Sequence, residues 1–543
     1  MDAVTEHAGP SADPGMPNPN LAARMIAVAR RHPARDAIIS WRSGRRRRLT
    51  FDALARDVAA VAAGLRARGI ASGDSVLLFV PMSIELYVVL LAVHHLGACA
   101  VFVDAWAGRS RLDQAVRAAR PRAFIGSPRA HLLRVASPAL RAIPRAIVVG
   151  GPWPLARIAE PGAAREPETV DRDAAALVTF TTGSTGTPKA AVRSHGFLWA
   201  QHLALQGHLR LRPEDIDLPT LPVFVLNNLA VGCTTVLPDF DPRRPADIDP
   251  ATIMGQIEAE RVSTTSGSPA FYERLAAWCR AGRRTLPFRA LFTGGAPVLP
   301  PLARLLLETV TGDVHVVYGS TEAEPISGIE GRDLLAGVER GGDGLCVGAP
   351  VASIRMRLVR PWDEPIALGP AGWREWEVAA GQVGEIVVNG DHVLPEYAGD
   401  PQANRAHKIR DGSMTWHRTG DAGRLDREGR LWLMGRVKRR VVRLGETWWG
   451  LPAEVRALQV DGVRHAAYLG LPDPRLGQRA VLCVETGGGR LDAVVRERLV
   501  AAVAPHPVDR LWALAEIPRD PRHRSKTDAD ALVRELERRP GRS

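Results

Sequence analysis

Lysine is almost missing from this chain: Lys189, Lys408, Lys438 and Lys526 are the only ones among 71 Lys and Arg residues. In a chain so biased toward arginine each ammonium needs a local reason, because the two cations differ in shape, hydration and ability to act as a compact charge. Cysteine is scarce as well. Cys99, Cys233, Cys279, Cys346 and Cys483 are odd in number, far apart and free of any CxxC pair. That excludes a disulfide framework and a zinc site and predicts buried free thiols in a reducing compartment. Long apolar runs are absent too. The most apolar stretch, 76–103, is broken by Pro81, Glu85, His94 and His95, so it reads as strand, helix, strand in a core and not as a membrane span. Residues 1–20 have neither a basic start nor an apolar centre. They predict a disordered N-terminus without a secretory leader, and a cytoplasmic protein.

What is present is ordinary for a folded chain: 543 residues, 45% hydrophobic and 24% charged. The net charge of +12 is spread among segments that also carry Asp and Glu. The single tight run, Arg45 to Arg48 beside Ser43-Gly44, reads as a solvated hairpin tip, so no nucleic-acid partner is expected. From Leu21 onward strand-like runs (76–80, 100–103, 123–125, 146–149, 176–180) alternate with helical stretches such as 84–96, which predicts α/β layering with largely parallel sheets. Between 340 and 435 short β-like runs (354–359, 384–388, 431–434) take over. The expected organisation is therefore a large α/β N-terminal domain over 21–435, with a β-rich part at 340–435. A small mobile α/β domain follows at 436–543.

The most informative stretch is Ala176-Leu-Val-Thr-Phe-Thr-Thr-Gly-Ser-Thr-Gly-Thr-Pro-Lys189. A strand-like run ends in a loop of two glycines, several hydroxyls and a lysine. Glycines let backbone N–H groups approach an anion, and hydroxyls add donors for phosphate oxygens. The loop is not a GxxxxGK[ST] phosphate loop, because Pro188 and Ala190 stand where that motif needs Gly and Ser or Thr.

This stretch resembles the signature loop of the adenylate-forming superfamily, which includes acyl-CoA synthetases, peptide-synthetase adenylation domains and luciferases. Further segments resemble its motifs in the family's order. They are Thr293-Gly294-Gly295-Ala296-Pro297, Tyr318-Gly319-Ser320-Thr321-Glu322, Gly384-Glu385-Ile386, His417-Arg418-Thr419-Gly420-Asp421 and Gly435-Arg436-Val437-Lys438. Lys526 lies where the family's C-terminal catalytic lysine belongs. The resemblance runs from about residue 22 to 536.

The resemblance implies ATP-dependent conversion of a carboxylic acid to an acyl-AMP anhydride, with release of pyrophosphate. The obstacle is charge: two like unit charges about 4 Å apart repel by roughly 4 kcal/mol at an effective dielectric near 20. Positioned cations and donors are therefore the main requirement. By resemblance Thr182, Gly183, Ser184, Thr185, Gly186, Thr187 and Lys189 face the β- and γ-phosphates. Gly294, Gly295, Ala296, Pro297, Tyr318, Gly319 and Ser320 line the nucleotide, with Tyr318 and Gly295 at adenine. Thr321 is assigned to the α-phosphate, Glu322 to Mg²⁺, and Asp421 with Arg436 to the ribose. Lys438 is the hinge, and Lys526 bridges the substrate carboxylate and the α-phosphate. Taken singly, Asp421 is a turn former and Glu322 a helix-start carboxylate; the ordered set is what assigns them. Three of the four lysines fall at family positions. Lys408 has no motif role and reads as a surface residue.

Some positions depart from the family pattern. Ala190 stands where Gly is common, and Thr182 where Ser is. Val225 in Pro222-Val-Phe-Val-Leu-Asn-Asn228 replaces a frequent His or aromatic residue, which predicts a differently shaped acid pocket. The segment 446–452 is about two residues longer than usual along the expected acceptor path. PVFVLNNLAVG, YGSTEAEPIS, LCVGAPV, TWHRTGDAGRLD and RHRSK together are similar to the β-lactone synthetases of bacterial long-chain olefin biosynthesis, in which the substrate's own hydroxyl displaces AMP. The leading expectation is transfer of a fatty or other hydrophobic acyl group to the thiol of CoA or a carrier protein. The alternatives are β-lactone closure and, from a different class, a non-catalytic nucleotide-binding relative.

Overall fold

A computed structural model of the chain describes residues 18–103, 108–160, 166–182, 188–520 and 526–538. Of the N-terminus expected to be disordered over 1–20, residues 1–17 lie outside the described residues, as do Gly183, Ser184, Thr185, Gly186 and Thr187, whereas Asn20 is buried and caps the helix Leu21–Arg31.

Two mainly parallel sheets form the body. The seven-stranded one runs in the order Tyr397–Ala398, Pro188–Ser194, Ala175–Thr182, Cys99–Phe102, Ser75–Phe79, Ala123–Gly126, Arg145–Val148. Its five strands from Ala175–Thr182 onward are parallel, and Pro188–Ser194 turns back as a hairpin partner. The inner strands are buried on both faces, which is why they read as continuous apolar runs and not as alternating ones. The helix Ile84–His95 is buried everywhere except at Glu85, so the apolar stretch of the sequence is a core helix. No described helix is long and apolar enough to cross a membrane.

The eight-stranded sheet places Ala323–Glu330, Asp313–Ser320, Ala290–Gly294, Thr264–Gly267 and Ile216–Pro219 side by side, and ends in the hairpin Asp36–Arg42/Arg45–Thr50. That hairpin revises the expectation for the arginine run. Its turn is Ser43-Gly44, with φ of 49° and 71°, and the arginines form the returning strand. Arg46 pairs with Glu260, Arg47 with Glu85 and Arg48 with Asp36.

A third, six-stranded antiparallel sheet contains Leu345–Gly348, Leu431–Arg436, Met414–Leu425, Gly384–Asn389 and Arg355–Val359, with Lys408–Asp411 attached to Met414–Leu425. Beyond the 3₁₀ turn Val437–Arg439, a five-stranded sheet built on Gly477–Thr486 and Val463–Asp473 completes the described chain with the helices Gly450–Ala457, Ala493–Val503 and Ala529–Glu537. Leu451 and Val455 of the first helix join the apolar cluster of Ile386, Leu431 and Trp432. Arg456 reaches Asp343 at 2.9 Å, and Arg440 grips Asp363 with two bonds of 2.9 and 2.6 Å. All five cysteines are buried free thiols, as expected.

Candidate active site

Thr182 and Lys189, at the two ends of the glycine-rich stretch, sit on the paired strands Ala175–Thr182 and Pro188–Ser194, in which Lys189 is paired with Thr181. The outer edge of this hairpin is closed by the two-residue strand Tyr397–Ala398, which pairs with Ala191 and Ala190. The small residue at Ala190 thus sits beneath a neighbouring strand. The register brings Tyr397 next to Lys189, whose Nζ lies 5.3 Å from the ring centroid. Lys189 is only 5% exposed. Burial pulls its pKa down, Asp400 and Glu322 oppose that, and Lys438 adds to it. An ammonium held this way binds an arriving anion without first shedding much water.

A second group gathers where Ala290–Gly294 and Asp313–Ser320, parallel neighbours, reach their carboxyl ends, the usual position of ligand crevices in open α/β sheets. Gly295 follows at φ +82°, a conformation that favours glycine. A Cβ on Gly294 would lie 2.5 Å from the Val317 carbonyl, and one on Gly319 would lie 2.8 Å from the Ala323 carbonyl. These glycines let the strand ends close up, with Ala296 and Pro297 leading away. Thr321 and Glu322 form the turn into Ala323–Glu330. The buried Arg193 donates to the Thr321 carbonyl at 2.9 Å and to Thr179 Oγ1 at 3.2 Å, tying this turn to the Lys189 hairpin. Ser320 Oγ accepts from the Glu322 N–H at 3.2 Å.

Tyr318 donates its hydroxyl to Asp421 Oδ2 at 2.8 Å, and Arg436 Nε holds Asp421 Oδ1 at 3.1 Å. Burial, then the Asp421 charge, push the Tyr318 phenol well above its usual range, so it remains a donor. Asp421 and Arg436 face each other on paired strands of the third sheet. The two motifs assigned to the ribose are therefore one register pair.

The partner of Glu322 could not be read from any motif. Tyr397 donates its hydroxyl to Glu322 Oε1 at 2.8 Å, and the Leu394 N–H donates to the Glu322 carbonyl at 2.7 Å. Behind Tyr397 lies Lys408, which is 5% exposed; the expectation of a surface lysine is overturned. Its strand is covered by Leu394, Tyr397 and His417, contacts made through tertiary packing. Its Nζ donates to the Leu394 carbonyl, lies 3.2 Å from His417 Nδ1 and stands 5.1 Å from the Tyr397 centroid. Burial takes its pKa down to about 7, with Glu322 opposing.

Two further motif residues prove to be one interaction. Arg418 and Glu385 form a fully buried pair, with Nη2 2.6 Å from Oε2, and Arg418 also donates to the Trp362 and Glu364 carbonyls. This pair fixes the strand three residues before Asp421.

Lys438 lies exposed in the 3₁₀ turn after Arg436. Lys526 is half-buried in the C-terminal sheet region. Its carbonyl accepts from the Asp520 N–H at 2.8 Å, and the neighbouring Thr527 Oγ1 lies 3.0 Å from His465 Nε2. Asp528 caps the helix that follows by accepting from the Ala531 N–H. Val225 is completely buried on the helix Pro222–Val231, packed in the core with Tyr87. The segment 446–452 forms the strand Glu446–Trp448, paired back on Val441–Arg443, and the start of the helix Gly450–Ala457.

A single carboxylate presented near the buried Lys189 of this hairpin suits Mg²⁺. This hard cation is commonly held by one or two carboxylates and completed by substrate phosphates. Tyr397 engages only Oε1 of Glu322. Among the described residues no group of three or more His, Cys, Asp or Glu side chains is arranged to hold a metal by itself.

Comparison with known proteins bears on the chain as a whole. The model of the AMP-binding enzyme family matches residues 26–398. An olefin β-lactone synthetase of Stenotrophomonas maltophilia is 34% identical, the alignment covering 96% of this chain and 99% of that protein. A feruloyl-CoA synthase of an Amycolatopsis species is 31% identical over 85% of this chain and 89% of its own. In fold, the chain superposes on ATP-bound MatB from Rhodopseudomonas palustris with a TM-score of 0.79 at 23% identity, covering 96% of this chain and 99% of that one.

Proposed function

The chain belongs to the AMP-binding enzyme family, and from that premise we propose that it condenses a carboxylic acid with ATP to form acyl-AMP and pyrophosphate. The observation that carries this reading is the convergence on the Thr321-Glu322 turn. Lys189 and Glu322 meet there through Tyr397, and Tyr318, Asp421 and Arg436 lie on the adjoining side.

In this reading an oxygen of the acid's carboxylate attacks the α-phosphorus, and the bond to the bridging oxygen breaks to release pyrophosphate. Lys189 and the 182–187 loop hold the β- and γ-phosphates, with Ser184, Thr185 and Thr187 as donors. Thr321 donates to the α-phosphate. Tyr318 and Gly295 flank adenine, and Asp421 accepts from the ribose hydroxyls while Arg436 holds its other oxygen in place. Glu322 would hold Mg²⁺, which when bound offsets phosphate charge. Lys526 joins the carboxylate to the α-phosphate. A compact ammonium suits that point better than a planar guanidinium. The unit beyond residue 436 acts as a cap that turns about Lys438.

The acyl-AMP then meets an acceptor. We read the acceptor as the substrate's own 3-hydroxyl: its oxygen attacks the acyl carbon, AMP leaves, the hydroxyl proton is released, and a β-lactone results. Support comes from the 34% identity that extends over 99% of an olefin β-lactone synthetase. Transfer to the thiol of CoA or a carrier protein is the second reading, supported by the likeness to a feruloyl-CoA synthase. ATP–pyrophosphate exchange over a panel of simple and 3-hydroxy fatty acids tests the first step. Mass spectrometry of products with and without CoA tests the second. A product that is the acid less one water, independent of CoA, is expected; a CoA-dependent thioester would reverse the order of the two readings. Absence of exchange with every acid would overturn both.

A further inference from the structure

Lys408 is one of four ammonium groups in an arginine-rich chain, it is buried, and no step described above uses it. Its surroundings are specific. On one side its Nζ donates to the carbonyl of Leu394, whose own N–H donates to the carbonyl of Glu322. On another it stands over the ring of Tyr397, whose hydroxyl holds the Glu322 carboxylate at 2.8 Å. On a third it meets His417 Nδ1 at 3.2 Å, on the strand that carries Asp421 four residues later. His417 is buried and its pKa is driven well below the usual range, so the imidazole is neutral; its Nδ1 lies between Lys408 Nζ and the His407 carbonyl, 3.3 Å away. Lys408 therefore braces both the backbone and the carboxylate of one residue, and does so against the strand of the other acid in the site.

We propose that Lys408 is a positioning residue that sets the Glu322 carboxylate for its cation, acting through Leu394 and the Tyr397 ring. An arginine would not fit this role. Behind Tyr397 one compact amine donates to one carbonyl, and a guanidinium fork carries five donors to be satisfied in a buried site. The inference rests on the reading of Glu322 as the Mg²⁺ ligand, so its test separates the two.

The full-length protein is assayed for exchange at fixed ATP over a series of Mg²⁺ concentrations. Calorimetry of ATP binding is run in Mg²⁺ and again in EDTA, giving a readout apart from turnover. For Lys408→Met, the half-saturating Mg²⁺ concentration is expected to rise about three- to tenfold, the effect of one lost hydrogen bond. ATP affinity in EDTA should stay within about twofold. Tyr397→Phe should move the same quantity in the same direction. The double variant should be little worse than Lys408→Met, because both act on one carboxylate. A full sum of the two single effects would overturn the proposed route through Tyr397.

If Glu322→Gln leaves the Mg²⁺ dependence unchanged, the metal assignment fails and the inference falls with it. If Glu322→Gln shifts that dependence and Lys408→Met does not, only the role of Lys408 is wrong. Should the Met variant fail to fold, Lys408→Gln, which keeps a donor toward Leu394 but removes the amine over the Tyr397 ring, is titrated instead as a test of the route through Tyr397. A shift in its Mg²⁺ requirement supports the proposal, and an unchanged requirement overturns it.

Discussion

Tyr318 and Asp421, 103 residues apart, are joined by a 2.8 Å hydrogen bond in which the half-buried phenol donates to the carboxylate. Arg436 occupies the other carboxylate oxygen at 3.1 Å. The carboxylate is thus oriented before any nucleotide arrives. Asp421→Ala should weaken ATP and an acyl-AMP analogue alike, by about ten- to a hundredfold, the worth of a charged hydrogen bond. Tyr318→Phe should cost less. Calorimetric titration of both ligands checks this, and an unchanged affinity for either would remove Asp421 from the ribose site.

Lys526→Ala should lower ATP–pyrophosphate exchange by about a hundred- to a thousandfold, as for loss of one donor at a developing charge. Consumption of supplied acyl-AMP should stay within a few-fold of the parent protein. Lys526→Arg should rescue poorly. Equal losses in both half-reactions would point to a structural lysine.

The Arg440–Asp363 pair lies two residues beyond Lys438 and spans the two sides of the proposed hinge. Exposed pairs contribute about 0.2–1 kcal/mol. Asp363→Asn should therefore leave the urea midpoint nearly unchanged, while trypsin cleavage at the Lys and Arg residues of 436–440 rises about two- to fivefold. Lys438→Pro, with φ held near −65°, should preserve exchange; it should suppress thioester output if a thiol is the acceptor and spare lactone output if the 3-hydroxyl is.

Glu385→Ala leaves the Arg418 guanidinium buried without its carboxylate. A loss of about 3–5 kcal/mol in unfolding free energy is expected from urea denaturation. A loss below 1 kcal/mol would mean that the Trp362 and Glu364 carbonyls alone satisfy Arg418.

Lys408 also sets a pH dependence. Its pKa falls from 10.5 to about 7 on folding, chiefly by burial, with Glu322 and Glu396 opposing and Arg410 and Lys189 assisting. Between these values the unfolded chain holds a proton that the folded one has released, so stability from this group rises with pH. From about pH 7 to pH 9 the parent protein should gain about 2 kcal/mol relative to Lys408→Met. Urea denaturation at the two pH values measures the difference; a constant gap would place the Lys408 pKa outside that window.

Most of the nucleotide-site reading came from local patterns. The strand predicted at 176–180 extends over Ala175–Thr182, and the helix predicted at 84–96 is Ile84–His95. The Gly294 and Gly319 positions are legible because a backbone that must close on a neighbour leaves a glycine behind. The pairs were not legible. Nothing local links Glu385 to Arg418 or Tyr397 to Glu322, since each contact forms only when distant strands come into register. Lys408 misled for a related reason. Arg405, His407 and Arg410 around it look like a solvated turn, and its burial depends on Leu394 and His417, which lie outside that window.

The four lysines also differ in access: Lys189 and Lys408 are 5% exposed, Lys526 is half-buried and Lys438 lies open. A reagent that acylates side-chain amines would meet almost no competing sites in so arginine-rich a chain. Peptide mapping would then resolve four positions: Lys189 and Lys408 around the Tyr397 ring, Lys438 in the turn and Lys526 near the C-terminal helix. The ratio of Lys526 to Lys438 modification would follow the C-terminal unit through turnover, in the unmutated protein and with no dye attached. Lys408 would serve as the internal standard, reacting only when the fold itself opens.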